Sequence, residues 1–284
     1  MTAGGYSGKV IGSMRYTRIT SASNRHIRDA IEIRTKRTGE RPRSFLIEGP
    51  HLVETAVEAG ADIRKVFVSG AFIARKENSA LLRRVAKCGG EFFEVTGQLL
   101  GKITDTETPQ GIAAVVAHRP LELGGLRAGS RTFVVVIDGI QDPGNLGTIV
   151  RTADAAGADA VVLLPGTCDV FMPKTVRATA GSIFHLPVVH AGLVDLCAWL
   201  HEREIPLAAT SADAERDLYR VDLSGSVAVA FGNEAHGVSS ELRRSSDLCM
   251  RIPIFGRAES LNVATAAAIC LYEAARQRSE SGVR

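Results

Sequence analysis

Through the second half of the chain, short apolar runs alternate with stretches of helical character, and few folds accept that pattern. Residues 133–137, 160–164, 186–189, 207–210, 227–231 and 248–252 read as strands. Residues 146–156, 174–180, 193–202, 239–245 and 261–278 read as helices between and after them. The strand runs are almost continuously apolar, so both faces of their sheet must be covered. That alternation predicts an α/β domain built on a parallel sheet over residues 131–284. A smaller α/β unit is expected over residues 15–118, with strands at 44–48, 65–69, 92–95 and 113–117 and helices at 51–59 and 79–88. Residues 119–130, which contain Pro120, Gly124, Gly125 and Gly129, read as a linker, and the Gly- and Ser-rich residues 1–14 as a flexible tail.

Three segments of the second half each follow a predicted strand and pair a Gly- or Pro-bearing loop with polar side chains. They are D-G-I-Q-D-P-G-N-L-G-T-I-V-R at 138–151, F-G-N-E-A-H-G at 231–237, and I-P-I at 252–254 with S-L-N-V at 260–263. In open parallel sheets, ligands bind outside the carboxyl ends of the strands. All three segments fall there, so they are expected to form one composite site. The G-x-G-x-x-G fingerprint, the Walker loop and the G-x-S-x-G elbow are absent, which disfavours a dinucleotide, an NTP or a serine-hydrolase site.

Each residue admits two roles. Asn145 stands near a predicted helix start and Arg151 inside the helix, where an anion and a forked guanidinium contact would be favoured. Equally, Asn145 could cap the helix and Arg151 could sit in a surface ion pair. Glu234 follows Gly232, whose missing side chain lets backbone approach a ligand closely; equally, the pair could form a simple strand-to-loop turn with an exposed Glu. Ser260 reads as a cap for the last helix, which would put Asn262 in its first turn. His236, beside Gly237, reads as a turn residue rather than a base.

Charge is unevenly spread. Residues 1–43 hold ten Lys or Arg against three Asp or Glu, while the remainder holds 24 against 28. A basic arm that includes Arg15, Arg18, Arg25, Arg28, Arg34, Lys36, Arg37, Arg41 and Arg43 suits phosphate contact. The five cysteines, at 88, 168, 197, 249 and 270, form no C-x-x-C pair, and the seven histidines are scattered. Buried thiols in a reducing cytoplasm and no metal site are expected. No apolar run approaches the ~18 residues of a membrane span, so no membrane association is expected.

Taken together, D-G-I-Q-D-P-G-N-L-G-T-I-V-R-T-A-D-A-A-G, F-G-N-E-A-H-G-V-S and I-P-I…E-S-L-N-V-A-T-A-A-A-I-C-L-Y-E resemble, in order and spacing, the three motifs of the SpoU (TrmH-like) family of RNA ribose 2′-O-methyltransferases. The segment opening F-L-I-E-G-P-H-L-V-E-T-A-V-E-A-G resembles the L30e-like substrate-binding domain that precedes many ribosomal-RNA members. The resemblance implies a SPOUT domain with a deep trefoil knot, S-adenosylmethionine as methyl donor, a homodimer, and a specific nucleotide of rRNA, 23S in the first place, as acceptor. It also extends to the ribosome-modifying resistance enzymes of antibiotic producers. Carried over by position, it implies Arg151 as the catalytic arginine, with Asn145, Glu234, Ser260 and Asn262 as the other polar active-site residues. Gly232, Ile252 and Leu261 would hold the donor, with Thr210 a further donor-site candidate. Ala235 stands where glycine is common. The same reaction on tRNA and a non-catalytic RNA-binding role are the alternatives. The N-terminal unit argues against the first, and the presence of all four principal polar residues against the second.

Overall fold

The computed structural model describes residues 8–11, 14–35, 44–104 and 106–280. Contact density divides the chain into two units, residues 1–120 with 171–184, and residues 121–170 with 185–284.

The first unit holds a six-stranded mixed sheet: β1 (Gly8–Ile11), β2 (Met14–Ile19), β3 (Ser44–Glu48), β4 (Ile63–Ser69), β5 (Glu91–Val95) and β6 (Ile112–Ala117), in the order β1-β2-β5-β4-β6-β3. Its helices are α1 (Arg25–Thr35), α2 (Pro50–Glu58), α3 (Gly70–Ala74), α4 (Ser79–Lys87) and α5 (Gly97–Thr104). Of the expected tail 1–14, residues 8–11 are instead a strand paired antiparallel with β2, and the rest apart from Met14 lies outside the described residues. The basic arm is likewise folded as far as it is described. In α1, Ile27 and Ala30 are fully buried against Phe67, Leu100 and Ile103, while Arg25, Arg28, Asp29 and Glu32 are exposed. Lys36, Arg37, Arg41 and Arg43 lie outside the described residues.

The second unit is built on seven parallel strands: β7 (Phe133–Asp138), β8 (Ala160–Leu163), β9 (Val188–His190), β10 (Leu207–Thr210), β11 (Arg216–Asp217), β12 (Val227–Gly232) and β13 (Leu248–Arg251). Their order is β11-β13-β10-β12-β7-β8-β9, and every neighbouring pair runs parallel. The chain supplies α6 (Pro143–Ala155), α7 (Pro173–Ala178), α8 (Leu193–Glu202), α9 (Ser240–Ser245) and α10 (Val263–Glu280), of which α7 belongs by contact to the first unit. All six residues of β12 are buried, as their apolar run requires, and each large one stabilises the fold by about 1.5–3 kcal/mol. Residues 121–126, read as part of a linker, pack instead on this unit. Leu121 bridges Val189, and Leu126 enters the core with Val134, Val162 and Trp199.

The order of strands positions the site. From β7 the chain winds outward through β8 and β9. It then returns to the other side, where β12 lies against β7 with β10 and β13 beyond it. The direction of winding therefore reverses between β7 and β12, and a crevice opens outside their carboxyl ends.

The end of α8 carries a local conflict. Ile205 N–H donates to Leu200 O and Glu204 N–H to His201 O, which closes the helix in a Schellman turn. That turn puts Glu204 at φ 53°, where an L side chain is strained. Glu204→Gly is expected to raise unfolding free energy by about 1 kcal/mol, measured by denaturant melts. An unchanged midpoint would mean the turn is not strained.

Candidate active site

The loops after β7, β12 and β13 meet at this crevice, and side chains tie them together. Asp142 caps α6, its Oδ1 accepting from Asn145 N–H at 2.9 Å, with Pro143 as the first helical residue. The helix thus begins three residues before the sequence pattern suggests, and Asn145 is not its cap. Asn145 Nδ2 donates to Glu234 Oε1 at 3.0 Å, and Asn145 Oδ1 accepts from Asn262 Nδ2 at 3.1 Å. Asn262 Oδ1 in turn accepts from Ala264 N–H at 2.9 Å and Thr265 N–H at 3.3 Å. Asn262, not Ser260, therefore caps α10.

This chain of bonds has one polarity. It starts at the free N–H groups of α10, passes through two amides and ends on the Glu234 carboxylate. Glu234 also accepts from Gln141 N–H at 3.2 Å and Asp142 N–H at 3.1 Å. Each amide has two N–H groups and spends one, so Asn145 and Asn262 each keep a donor for a bound oxygen. Burial pushes the Glu234 carboxyl up, but the bonds from Asn145 and the backbone outweigh it and hold it below the usual carboxylate range. Its stabilising effect is then complete at neutral pH and disappears only as pH falls through that lowered value. Glu234→Gln is expected to flatten the acid limb of a stability profile. At neutral pH it should cost about 1 kcal/mol, because the side chain is exposed and its bonds are screened. An unaltered acid limb would contradict the assignment.

Several residues of this edge were not singled out from sequence. Asn233 Nδ2 donates to Gly139 O at 2.8 Å, while its Oδ1 accepts from Ala235 N–H at 2.9 Å and His236 N–H at 3.2 Å. Gln141 Nε2 donates to Gly139 O at 3.2 Å and also to Gly166 O. Asp138 Oδ2 accepts from Ser239 N–H at 2.6 Å and so fixes the start of α9. An Asn four residues before a Gly was the available signal for the Asn233 turn. Ala235 keeps a negative φ, so this turn does not need glycine there.

Gly232 is required by the chain itself. A Cβ there would lie 2.0 Å from Gly237 C and Val238 N, because the loop returns across it. Asn233 and Gly237 exchange both backbone hydrogen bonds, at 2.8 and 2.9 Å. Thr210, at the end of β10, donates to Ala230 O at 2.8 Å. Ile252 is half-buried, whereas Ser260 and Leu261 are exposed on the connection into α10. The backbone of residues 253–261 takes no hydrogen bond from the described chain, which leaves its N–H and C=O groups open to a ligand.

Arg151 makes no hydrogen bond to the Asn145–Glu234–Asn262 cluster. It is exposed on α6, two turns beyond the cap, with no ion pair or hydrogen-bond partner among the described residues. Cys168 is the thiol beside the cluster. Burial, then the charges of Glu234, Asp142 and Asp169, push it up to about 11, so it remains a protonated thiol at neutral pH rather than a nucleophile. Among the described residues, no group of three or more His, Cys, Asp or Glu could hold a metal ion, and no helix is long and apolar enough to cross a membrane.

Residues 132–272 match the model of the SpoU rRNA Methylase family, and residues 24–114 match an MRM3-like substrate binding domain. The 23S rRNA (guanosine(2553)-2′-O)-methyltransferase RlmP of Bacillus subtilis is 38% identical over 254 residues, covering 89% of this chain and 97% of the relative. Among solved structures, the AdoMet-bound rRNA methyltransferase from Sinorhizobium meliloti superposes with a TM-score of 0.82 at 34% identity, over 92% of this chain and 98% of that one. The SpoU methyltransferase AviRb from Streptomyces viridochromogenes, in complex with AdoMet, gives a TM-score of 0.82 at 30% identity, over 90% and 98%.

Proposed function

The chain belongs to the SpoU rRNA methylase family, and from that premise we propose that it transfers the methyl group of S-adenosylmethionine to the ribose 2′-hydroxyl of one nucleotide in 23S rRNA. The observation that carries the reading is the run of hydrogen bonds Glu234–Asn145–Asn262, which gathers all three motif loops at the switch point of the parallel sheet. The residues fit the donor. Open backbone groups at 253–261 suit the edge of a flat heterocycle, and the apolar Ile252 and Leu261 flank them. Gly232 and Thr210 end the adjacent strands. Bound there, S-adenosylmethionine supplies an electrophilic methyl group on a sulfonium centre.

The chain's own residues do the rest. A ribose hydroxyl must lose its proton as it attacks, and a guanidinium stays protonated, so Arg151 is no base. Its free, exposed cation grips the phosphate next to the acceptor ribose and stabilises the oxyanion charge that develops on the 2′-oxygen. The spare N–H groups of Asn145 and Asn262 orient the acceptor, while Glu234 holds its loop to the start of α6. Alignment of hydroxyl, methyl carbon and leaving sulfur supplies much of the rate. The proton leaves through the phosphate or a water.

The first unit and its basic α1 bind the RNA, recognising folded shape and phosphates; the match of residues 24–114 to a substrate binding domain supports rRNA over tRNA. The same reading includes a trefoil knot in the second unit, a homodimer and work in the cytoplasm, where rRNA is assembled into subunits. Transfer of labelled methyl to 23S rRNA, with tRNA as the competing acceptor and digestion to nucleosides, tests it. Label on the ribose of 23S rRNA is expected; label on a base or on tRNA alone would overturn the proposal.

A further inference from the structure

Six large apolar side chains are exposed among the described residues, and three of them, Ile254, Phe255 and Leu261, lie on the single connection from β13 to α10. Phe255 is the extreme case at 92% exposed, with no ring contact to another residue. Isolated exposed apolar residues need no explanation, but a concentration beside a cluster of polar site residues does. Aromatic residues make up only 5% of the chain, which makes a bare phenyl ring at this edge the more unusual.

Two residues on, Arg257 is also exposed and has no ion-pair or hydrogen-bond partner among the described residues. Arg251, at the start of the same connection, is by contrast neutralised by Asp217 at 2.8 Å. An open aromatic face beside an unpaired guanidinium, with Gly256 between them, is the chemistry that holds unstacked nucleotides: the ring takes a base and the cation a phosphate. A duplex displays every 2′-hydroxyl alike in its shallow minor groove, so choosing one nucleotide calls for an unpaired stretch whose splayed bases need a surface to rest on.

We propose that Phe255 is the stacking platform for a nucleobase at or next to the methylated ribose, with Arg257 holding the flanking phosphate. The proposal rests on the methyltransferase reading and names the part of the substrate that this loop meets. It differs from two other occupants of the same ring, the adenine of the donor and a second copy of this chain.

The full-length protein is compared as wild type, Phe255→Ala, Phe255→Leu and Phe255→Trp. The RNA KM for methyl transfer to 23S rRNA, the S-adenosylmethionine dissociation constant and the mass in solution are measured for each. Stacking requires a π-face, so Ala and Leu are both expected to raise the RNA KM by about 10-fold, and Trp to restore it. Donor affinity should not move, because the donor meets the backbone of this segment and each variant keeps it, and the mass should not move either. An RNA KM rescued by Leu as well as by Trp would overturn the proposal. So would a loss of donor affinity, which assigns the ring to adenine, or a change in mass, which assigns it to a second copy. Absence of transfer by the wild-type protein would instead count against the methyltransferase reading.

Discussion

Arg151→Ala is expected to lower kcat for methyl transfer by about 10²–10³-fold, the loss typical when one preorganised donor to a developing oxyanion is removed. S-adenosylmethionine affinity should stay within about twofold, since nothing in the described structure ties this side chain to the donor loops. The physical basis is its isolation. An exposed guanidinium with no partner contributes nothing to the fold, so its removal should leave the melting temperature unchanged. Arg151→Lys keeps the charge but loses the fork, and is expected to recover only part of the rate. Isothermal titration and single-turnover kinetics separate the two effects. Wild-type turnover by Arg151→Ala would remove this residue from the chemistry.

Gly232→Ala is expected to be the most damaging single methyl group in the second unit. The added Cβ would meet backbone atoms of Gly237 and Val238 at 2.0 Å, and backbone cannot swing aside as a flexible side chain can. The returning loop must separate from β12, breaking the paired Asn233–Gly237 hydrogen bonds and drawing Glu234 away from Asn145. Overpacking of this kind costs about 3 kcal/mol or more. Donor binding is expected to vanish with the loop geometry. Thermal melting with a donor titration checks both effects, and a variant that melts and binds like the wild type would contradict the loop return seen here.

The parallel sheet was legible because β7, β8, β10 and β12 are short apolar runs with nothing else to become. Boundaries were harder to read. Asp142-Pro143 is a cap followed by a first helical residue, yet the apolar period starts only at Leu146, so the pattern placed α6 late. The last helix was read as beginning too early because Leu261 looks like part of its apolar stripe, whereas Asn262 caps it. In the first unit, α1 was hidden by its charge. Ile27, Ala30 and Ile31 show helical spacing, but the arginines around them suggested a solvated arm. Gly97 and Gly101 concealed α5 in the same way.

The grouping of residues 171–184 with the first unit was not legible at all. It depends on contacts far apart in sequence, Phe45 with Phe171 at 5.0 Å and with Phe184 at 5.9 Å, and Glu48 with Arg177 at 3.8 Å. The polar residues of the site could be named from sequence, but not how they are joined. Which amide nitrogen meets which oxygen is set by the crossing of α6 and α10, and no local pattern encodes that.

A crystal structure with S-adenosylmethionine bound tests the account most directly. The account places the sulfonium at the carboxyl ends of β7, β12 and β13, its heterocycle on the open backbone of residues 253–261, and its methyl group facing the spare amide donors of Asn145 and Asn262. Density for the donor at any other part of the chain, or there with its methyl group turned away from those amides, would contradict it.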